Sequence, residues 1–343
     1  MHVRRGPERC AELHHQPRGA GAARVTAAPP RPHVPGGRTD PAHYTPADLP
    51  AEFAALGTPV EGLGVGQPGK VGLLELTFTP LAGATRLTHH FQQFPLQVFR
   101  PFYLDSHRPE TAFVYVLSHG GTLQGDRARL DLVCAPGASA HVTTQAAAKL
   151  YRMERNYATQ LVNLEAGEGS FLEYLPDPVI PFRDSRFFTR TCLTLHPGAT
   201  AIVAETLLPG RVAYGEHHDY ALYAAQMEAR TPQGELLFTD SLKFAPQAAS
   251  PHSPGQLGPH AALTTLYVVT RQAPAGALAD RLHARLMGLP GVVGGASELP
   301  GGYGAWARAF GPDSISVTGA LHALWDEARL ALTGAPAPQG RKT

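Results

Sequence analysis

Two carboxylates sit where carboxylates are costly. In Leu172-Glu173-Tyr174-Leu175-Pro176, Glu173 shares a strand face with Phe171 and Leu175, and its chain neighbours Leu172 and Tyr174 are apolar too. Neither face of that strand reads as solvent. A buried carboxylate needs a cation, hydrogen bonds or a metal. A nearby arginine, Arg183 or Arg186, is the plain answer; a divalent cation is the chemical one. Glu205, inside the apolar run Ile202–Leu208, poses the same question. Three other clusters carry reactive groups. His119-Gly-Gly-Thr-Leu-Gln-Gly-Asp126 places a histidine and an acid on a glycine-rich turn. A β-fold hydrolase or metal-dependent enzyme would use His119 and Asp126, but no Ser or Cys nucleophile stands beside a base, and a tight turn explains the glycines as well. Gly210–Asp219 gathers Arg211, Glu216, His217, His218 and Asp219. Adjacent histidines on a strand point to opposite faces, so Glu216 with His218 is the better chelating pair. Thr143–Arg152 runs through three alanines into Lys149, Tyr151 and Arg152, which suits a partner-docking surface or an ordinary solvated turn. Gly64–Lys70 matches two phosphate-loop patterns, yet a Pro-rich segment precedes it, a strand follows it and Val71 replaces the Ser/Thr. It reads as a lead-in to the first strand.

The composition limits what these groups serve. The chain has 343 residues, 29 Lys+Arg against 28 Asp+Glu and a net charge of +1, which argues against a nucleic-acid partner. The 17 histidines hint at metal, but the 3 cysteines lack a CxxC spacing, so neither a disulfide framework nor a thiolate zinc site is expected. No apolar run of about 18 residues suggests a membrane span, and no apolar stretch after Arg4 and Arg5 suggests a secretory signal. A reducing cytoplasm is the expected compartment.

The elements that must position these residues are mainly strands. From Val71 short alternating runs follow one another: Gly72–Phe78, Ala112–Ser118, Arg129–Cys134, Ala138–Thr144, Ala158–Leu164, Ser170–Leu175, Phe187–Leu195 and Thr200–Leu207. Further strands are expected at Tyr220–Ala229, Glu235–Phe244 and Leu263–Arg271, with helices at Ala277–Met287 and Gly319–Leu332. With 36 glycines and 32 prolines, long helices are disfavoured. Pro-Gly-Ala recurs at 136–138 and 197–199, and Glu165–Phe171 marks a similar turn between them. A repeat of about 30 residues suggests stacked coils of a β-solenoid kind. The expected class is all-β, stacked sheets of β-helical character with about two helices near the C-terminus. Residues 1–68 are Pro-rich and lack apolar periodicity apart from Ala47–Leu56, so they are expected to form a disordered extension carrying His2, His14, His15, His33 and His43. A single β domain is expected over 69–335 and a disordered tail over 336–343.

Taken together, the motifs resemble one family. Pro95-Leu-Gln-Val-Phe-Arg-Pro-Phe-Tyr103, Gly120-Gly-Thr-Leu-Gln-Gly-Asp126, Thr143-Thr-Gln-Ala-Ala-Ala-Lys-Leu-Tyr-Arg152, Leu172–Pro176 and Gly210-Arg-Val-Ala-Tyr-Gly-Glu216 resemble the urease accessory protein UreD (UreH) family in order and spacing. The likeness runs from about Gly69 to Phe244 and more loosely to the final helix. Phe94, Phe99 and Tyr174 depart from the family's usual Gly, Gln and Trp, and the family's Trp near the first strand is missing around Lys70. The resemblance implies a β-rich chaperone rather than an enzyme: a cytoplasmic scaffold in nickel urease maturation that binds apo-urease and UreF, and through UreF the GTPase UreG. It also implies a passage for Ni²⁺, with no tightly bound cofactor. On that reading Glu173, Glu205, Asp126, Asp177 and Glu216 are the candidate transient nickel ligands, and Gln145, Lys149, Tyr151, Arg152 and Arg211 the candidate partner contacts. A pure adaptor without a metal path is the other reading.

Overall fold

The computed structural model describes residues 37–39, 43–46, 49–56 and 69–338. Most of the phosphate-loop match and every N-terminal histidine except His43 lie outside them.

Alternating apolar residues over the strands build two stacked sheets. The chain passes from one to the other and back, as a solenoid requires. Strands β4 (Ala112–Ser118), β6 (Ser139–Thr144), β9 (Phe171–Tyr174) and β12 (Thr200–Leu207) lie side by side and parallel in one sheet. Strands β5 (Arg127–Cys134), β8 (Ala158–Ala166), β11 (Arg186–Leu195) and β13 (Leu222–Arg230) do so in the other. Cys134, Ala166 and Leu195 stand in one cross-strand row, and the turns after them stack: Gly137 N donates to Glu168 O (2.8 Å) and Gly169 N to Pro197 O (3.2 Å). The two Pro-Gly-Ala turns are therefore rungs of one coil, with the Glu168–Gly169 turn as the rung between them. Gly137, Gly169 and Gly198 have positive φ, +70°, +62° and +70°, where a side chain would be strained.

The sheet of β5, β8, β11 and β13 is extended by β1 (Val71–Leu81), β2 (Ala84–Gln93) and β14 (Leu236–Phe244) to seven strands. The sheet of β4, β6, β9 and β12 is extended by β3 (Leu96–Val98), β7 (Ala148–Leu150), β10 (Val179–Pro181), β15 (Ala262–Thr270), β16 (Val293–Glu298) and β17 (Gly304–Gly311) to ten. Leu74, Leu76, Val114, Leu132, Val142, Val162 and Val203 fill the space between the sheets. Helices α2 (Ala275–Met287) and α3 (Ser314–Thr333) cover the outer face of the ten-stranded sheet, with Leu278, Leu282, Leu324 and Trp325 packed on Ile202, Leu266 and Val268. The all-β solenoid with two C-terminal helices is the architecture expected.

Pieces of 1–68 are packed rather than free. The one-turn helix α1 (Ala51–Ala54) buries Phe53 completely against Tyr157 and Phe188 on the seven-stranded sheet. His43 and Tyr44 are buried there too, and Arg38 reaches Glu75 of β1 (Nε–Oε1 3.1 Å). A single aromatic anchor substitutes for the missing periodicity. At the other end Ala337 is buried and donates to Asp326 Oδ1 (2.7 Å), beyond the expected boundary at 335. Among the described residues no helix is long and apolar enough to cross a membrane.

Candidate functional site

Between the sheets lie two cavities, of about 270 and 70 Å³. They adjoin, and Thr144, Ala148, Gln160, Tyr174 and Phe187 line both. Tyr174 is buried and its hydroxyl has no hydrogen-bond partner among the described residues. Burial also pushes the Tyr174 phenol upward, so it stays protonated.

Three of the five candidate nickel ligands line this space. Asp126 faces the larger cavity and Asp177 and Glu205 the smaller. Their commitments differ. Asp126 is buried and spent: Lys70 Nζ lies 3.0 Å from Oδ2, and Lys70 N and Leu123 N donate to it at 2.9 and 2.8 Å. It closes the turn before β5. Asp177 exchanges bonds with Thr144, its own N donating to Oγ1 at 2.8 Å and its Oδ2 accepting from that hydroxyl at 3.1 Å. Glu205 accepts from Tyr223 Oη (2.9 Å) and, among the described residues, makes no ion pair. Burial pushes Glu205 up to about 7, against the Tyr223 hydrogen bond and the Arg308 charge. Asp177 also borders a third cavity, of about 200 Å³, beneath α3.

Glu173 and Glu216 are elsewhere. Glu173 points to the helix side of its sheet, fully buried, and its cation is neither Arg183 nor Arg186. Arg329 of α3 reaches it through Nη1 at 3.1 Å, Trp325 Nε1 donates at 2.7 Å, and His141 Nδ1 lies 2.9 Å away. Arg183 instead pairs with Asp219 (3.0 Å), and Arg186 donates to Met153 O. Glu216 is gripped by Arg211 and accepts from Arg183 N (3.3 Å). The Glu216–His218 chelate is not assembled. His218 is buried, with Nε2 3.0 Å from Ala261 O and Nδ1 3.1 Å from Tyr220 Oη. Among the described residues no three His, Cys, Asp or Glu side chains converge as a metal cage.

The pair expected of an enzyme is likewise divided. His119 is exposed, bonded to Gln97 Oε1 (2.6 Å) and stacked on Phe94, while Asp126 is buried on Lys70.

The candidate partner contacts gather at two places. Gln145 and Lys149 are exposed, Tyr151 is half-buried, and all three line the larger cavity. Tyr151 also packs on Phe182, and Arg211 lies over Phe182 (4.2 Å) and the exposed Tyr214 (4.9 Å). Arg152 is exposed and pairs with Asp184 at 3.3 Å. The stretch after Thr144 is therefore both a surface and the rim of an opening. Sequence reasoning missed Gln160, Tyr223 and Tyr267 of the smaller cavity, because neither a glutamine nor a tyrosine within a strand carries a mark that distinguishes cavity lining from its ordinary place in a sheet.

His218 yields a pH test. Burial first, then the charge of His252, holds it down to about 4, below the ordinary imidazole value of 6.5. The unfolded chain takes up this proton before the folded one does, so the His218 contribution is intact above pH 6.5 and is lost as pH falls toward 4. The unfolding free energy should drop by on the order of 2–3 kcal/mol more in the native chain than in His218→Asn over that range, read by urea unfolding. Asn tolerates the positive φ, +58°, found there. Parallel pH profiles would refute the assignment.

The chain matches the family model described as UreD urease accessory protein over residues 70–343. It is 44% identical over 296 residues to the urease accessory protein UreD 2 of Streptomyces griseus, covering 84% of this chain and 100% of the relative. It is 38% identical over 279 residues to the UreD of Haloarcula marismortui (81% and 92% covered) and 34% over 281 residues to that of Cenarchaeum symbiosum (82% and 99%).

Proposed function

The chain belongs to the UreD urease accessory protein family, which gives it a role in urease maturation, and we propose that it is the cytoplasmic scaffold through which nickel reaches apo-urease. In this reading UreF docks on the chain and brings UreG, apo-urease docks elsewhere, and the cavities between the sheets carry Ni²⁺ from one partner to the other. The observation that supports it is the lining common to the two cavities, taken here as a neck between them, with Glu205, which makes no ion pair among the described residues, beyond it and the exposed Gln145 and Lys149 before it. Nickel accepts carboxylate and water ligands. A route must bind its ion weakly and at several points so that the ion can leave. Asp177 and Glu205, on one cavity without a third ligand, suit passage better than storage. Asp126, Glu173 and Glu216 are each taken by a protein cation and serve the frame.

The test is reconstituted activation of apo-urease with UreF, UreG, GTP and Ni²⁺, reading urease activity and, in parallel, co-purification of the complex. Glu205→Gln and Asp177→Asn together should lower activation several-fold at unchanged complex formation. Full activation by the double variant would sink the nickel route and leave a pure adaptor. For that second reading the supporting observation is the Tyr151–Phe182–Arg211–Tyr214 patch, a desolvatable aromatic and guanidinium surface of the composition favoured at interfaces. Under it, Arg211→Ala should weaken partner capture while the carboxylate variants do nothing.

A further inference from the structure

We infer that Asp240 is a positioning residue for the passage: it holds the Arg308 guanidinium on the opposite sheet's side and so keeps Glu205 free of a protein cation. This rests on the nickel route proposed above. Glu205, Thr265 and Arg308 form one cross-strand row over β12, β15 and β17. Residues in such a row face the same side of a sheet, and adjacent strands are about 4.8 Å apart. Arg308 is thus two strands from Glu205, with only a threonine between them. Its side chain already leans that way, Nε donating to Thr265 Oγ1 at 2.9 Å.

What stops the guanidinium there comes from the other sheet. Asp240 of β14 accepts from Arg308 Nη2 and from Tyr267 Oη, both at 2.5 Å on Oδ2. Glu205 is left with one phenol donor, Tyr223, also from the other sheet. Two carboxylates therefore compete for one arginine, and Asp240 has it. Arg308 and Asp240 are both partly exposed, so a surface ion pair of this kind adds little stability. Its placement matters more than its strength. An arginine on Glu205 would occupy the carboxylate with a fork of fixed donors and set a positive charge against any arriving cation.

Two measurements on the full chain decide it. The first is a crystal structure of Asp240→Asn. Arg308 paired with Glu205 is the expected result; Arg308 still on Thr265, with Glu205 held by Tyr223 alone, overturns the inference whatever the route carries. The second uses Co²⁺ alone as a paramagnetic probe and ¹³C-methyl methionine spectra, since Met227 lines the smaller cavity with Glu205. Asp240→Asn should need at least about tenfold more Co²⁺ to broaden the Met227 signal, and Asp240→Asn/Arg308→Met should recover the native response. A merely structural Asp240 would not be rescued by removing Arg308, and that result counts against the inference. Broadening absent from the native chain, with Arg308 displaced in the Asp240→Asn crystal, would remove the nickel route and leave the positioning intact.

Discussion

Replacing Glu173 by alanine is expected to lower the unfolding free energy of the chain by about 3–5 kcal/mol. Glu173, Arg329 and Asp105 are 0%, 0% and 2% exposed, so no water compensates a lost partner. Arg329 bridges the two carboxylates, through Nη1 to Glu173 and Nη2 to Asp105, while Trp325 Nε1 and His141 Nδ1 complete the Glu173 oxygens. Removing Glu173 leaves a buried guanidinium half-paired and an indole N–H without an acceptor. The same contacts show in the Glu173 ionisation. Burial alone would raise it, but the His141 hydrogen bond and the His141 and Arg329 charges hold it below the usual carboxylate value. A depressed carboxylate stabilises above its unfolded value and loses that contribution as pH falls through the folded one. The native chain should accordingly lose stability below pH 4.5 by a component that Glu173→Ala lacks. Urea unfolding at pH 7 and pH 4 measures both. Glu173→Leu/Arg329→Met/Asp105→Asn should recover part of the loss, because it leaves no buried charge of the cluster without its partner. A Glu173→Ala chain as stable as the native one would show that the cluster does not fasten α3 to the sheet.

That cluster also shows how far residue order can be read. The apolar neighbours Leu172 and Tyr174 announce a buried Glu173, since strand alternation is a local property. The partner does not announce itself: Arg329 is 156 residues away, and a helical arginine among Ala328 and Leu330 looks like any solvated one. Nearby Arg183 and Arg186 were the natural expectation and both serve other groups. The coil repeat was legible for a similar local reason, because stacked turns reuse Pro-Gly-Ala. Strands without a local mark were missed. Strand β2 (ATRLTHHFQQ) buries few side chains and reads as polar. Strands β7 and β10 have three residues each. The glycines of β16 and the small residues of β17, which admit helices close to the sheet, disguise them as loops. Of the candidate ligands, sequence singled out Glu205 by burial alone. Its lack of an ion pair among the described residues is a tertiary feature, and the groups around it, Tyr223, Asp240 and Arg308, come from three other strands.

Filling the neck is expected to abolish nickel-dependent urease activation, by tenfold or more, without disturbing the complex. Ala148 borders both cavities and sits on the short strand β7, whose backbone is tied by Ala148 N donating to Pro178 O (3.0 Å). The substitution Ala148→Phe leaves that bond in place and sets a ring where Thr144, Gln160, Tyr174 and Phe187 converge. A cavity of about 70 Å³ cannot hold both a phenyl group and a hydrated ion, whereas Ala148→Ser preserves the volume and adds a hydroxyl. Overpacking costs about 1–3 kcal/mol where the surroundings are tight; here the ring enters existing space, so the unfolding midpoint should move little. The route reading therefore predicts a split that a folding defect would not produce. Ala148→Phe should bind UreF and apo-urease normally and fail to activate, Ala148→Ser should do both, and excess Ni²⁺ should not rescue the blocked chain. Carboxylate variants only weaken a stepping stone, and excess metal should partly restore them. If Ala148→Phe activates urease at the native rate, nickel does not pass between the sheets. The Gln145–Lys149 rim would then matter only as a surface.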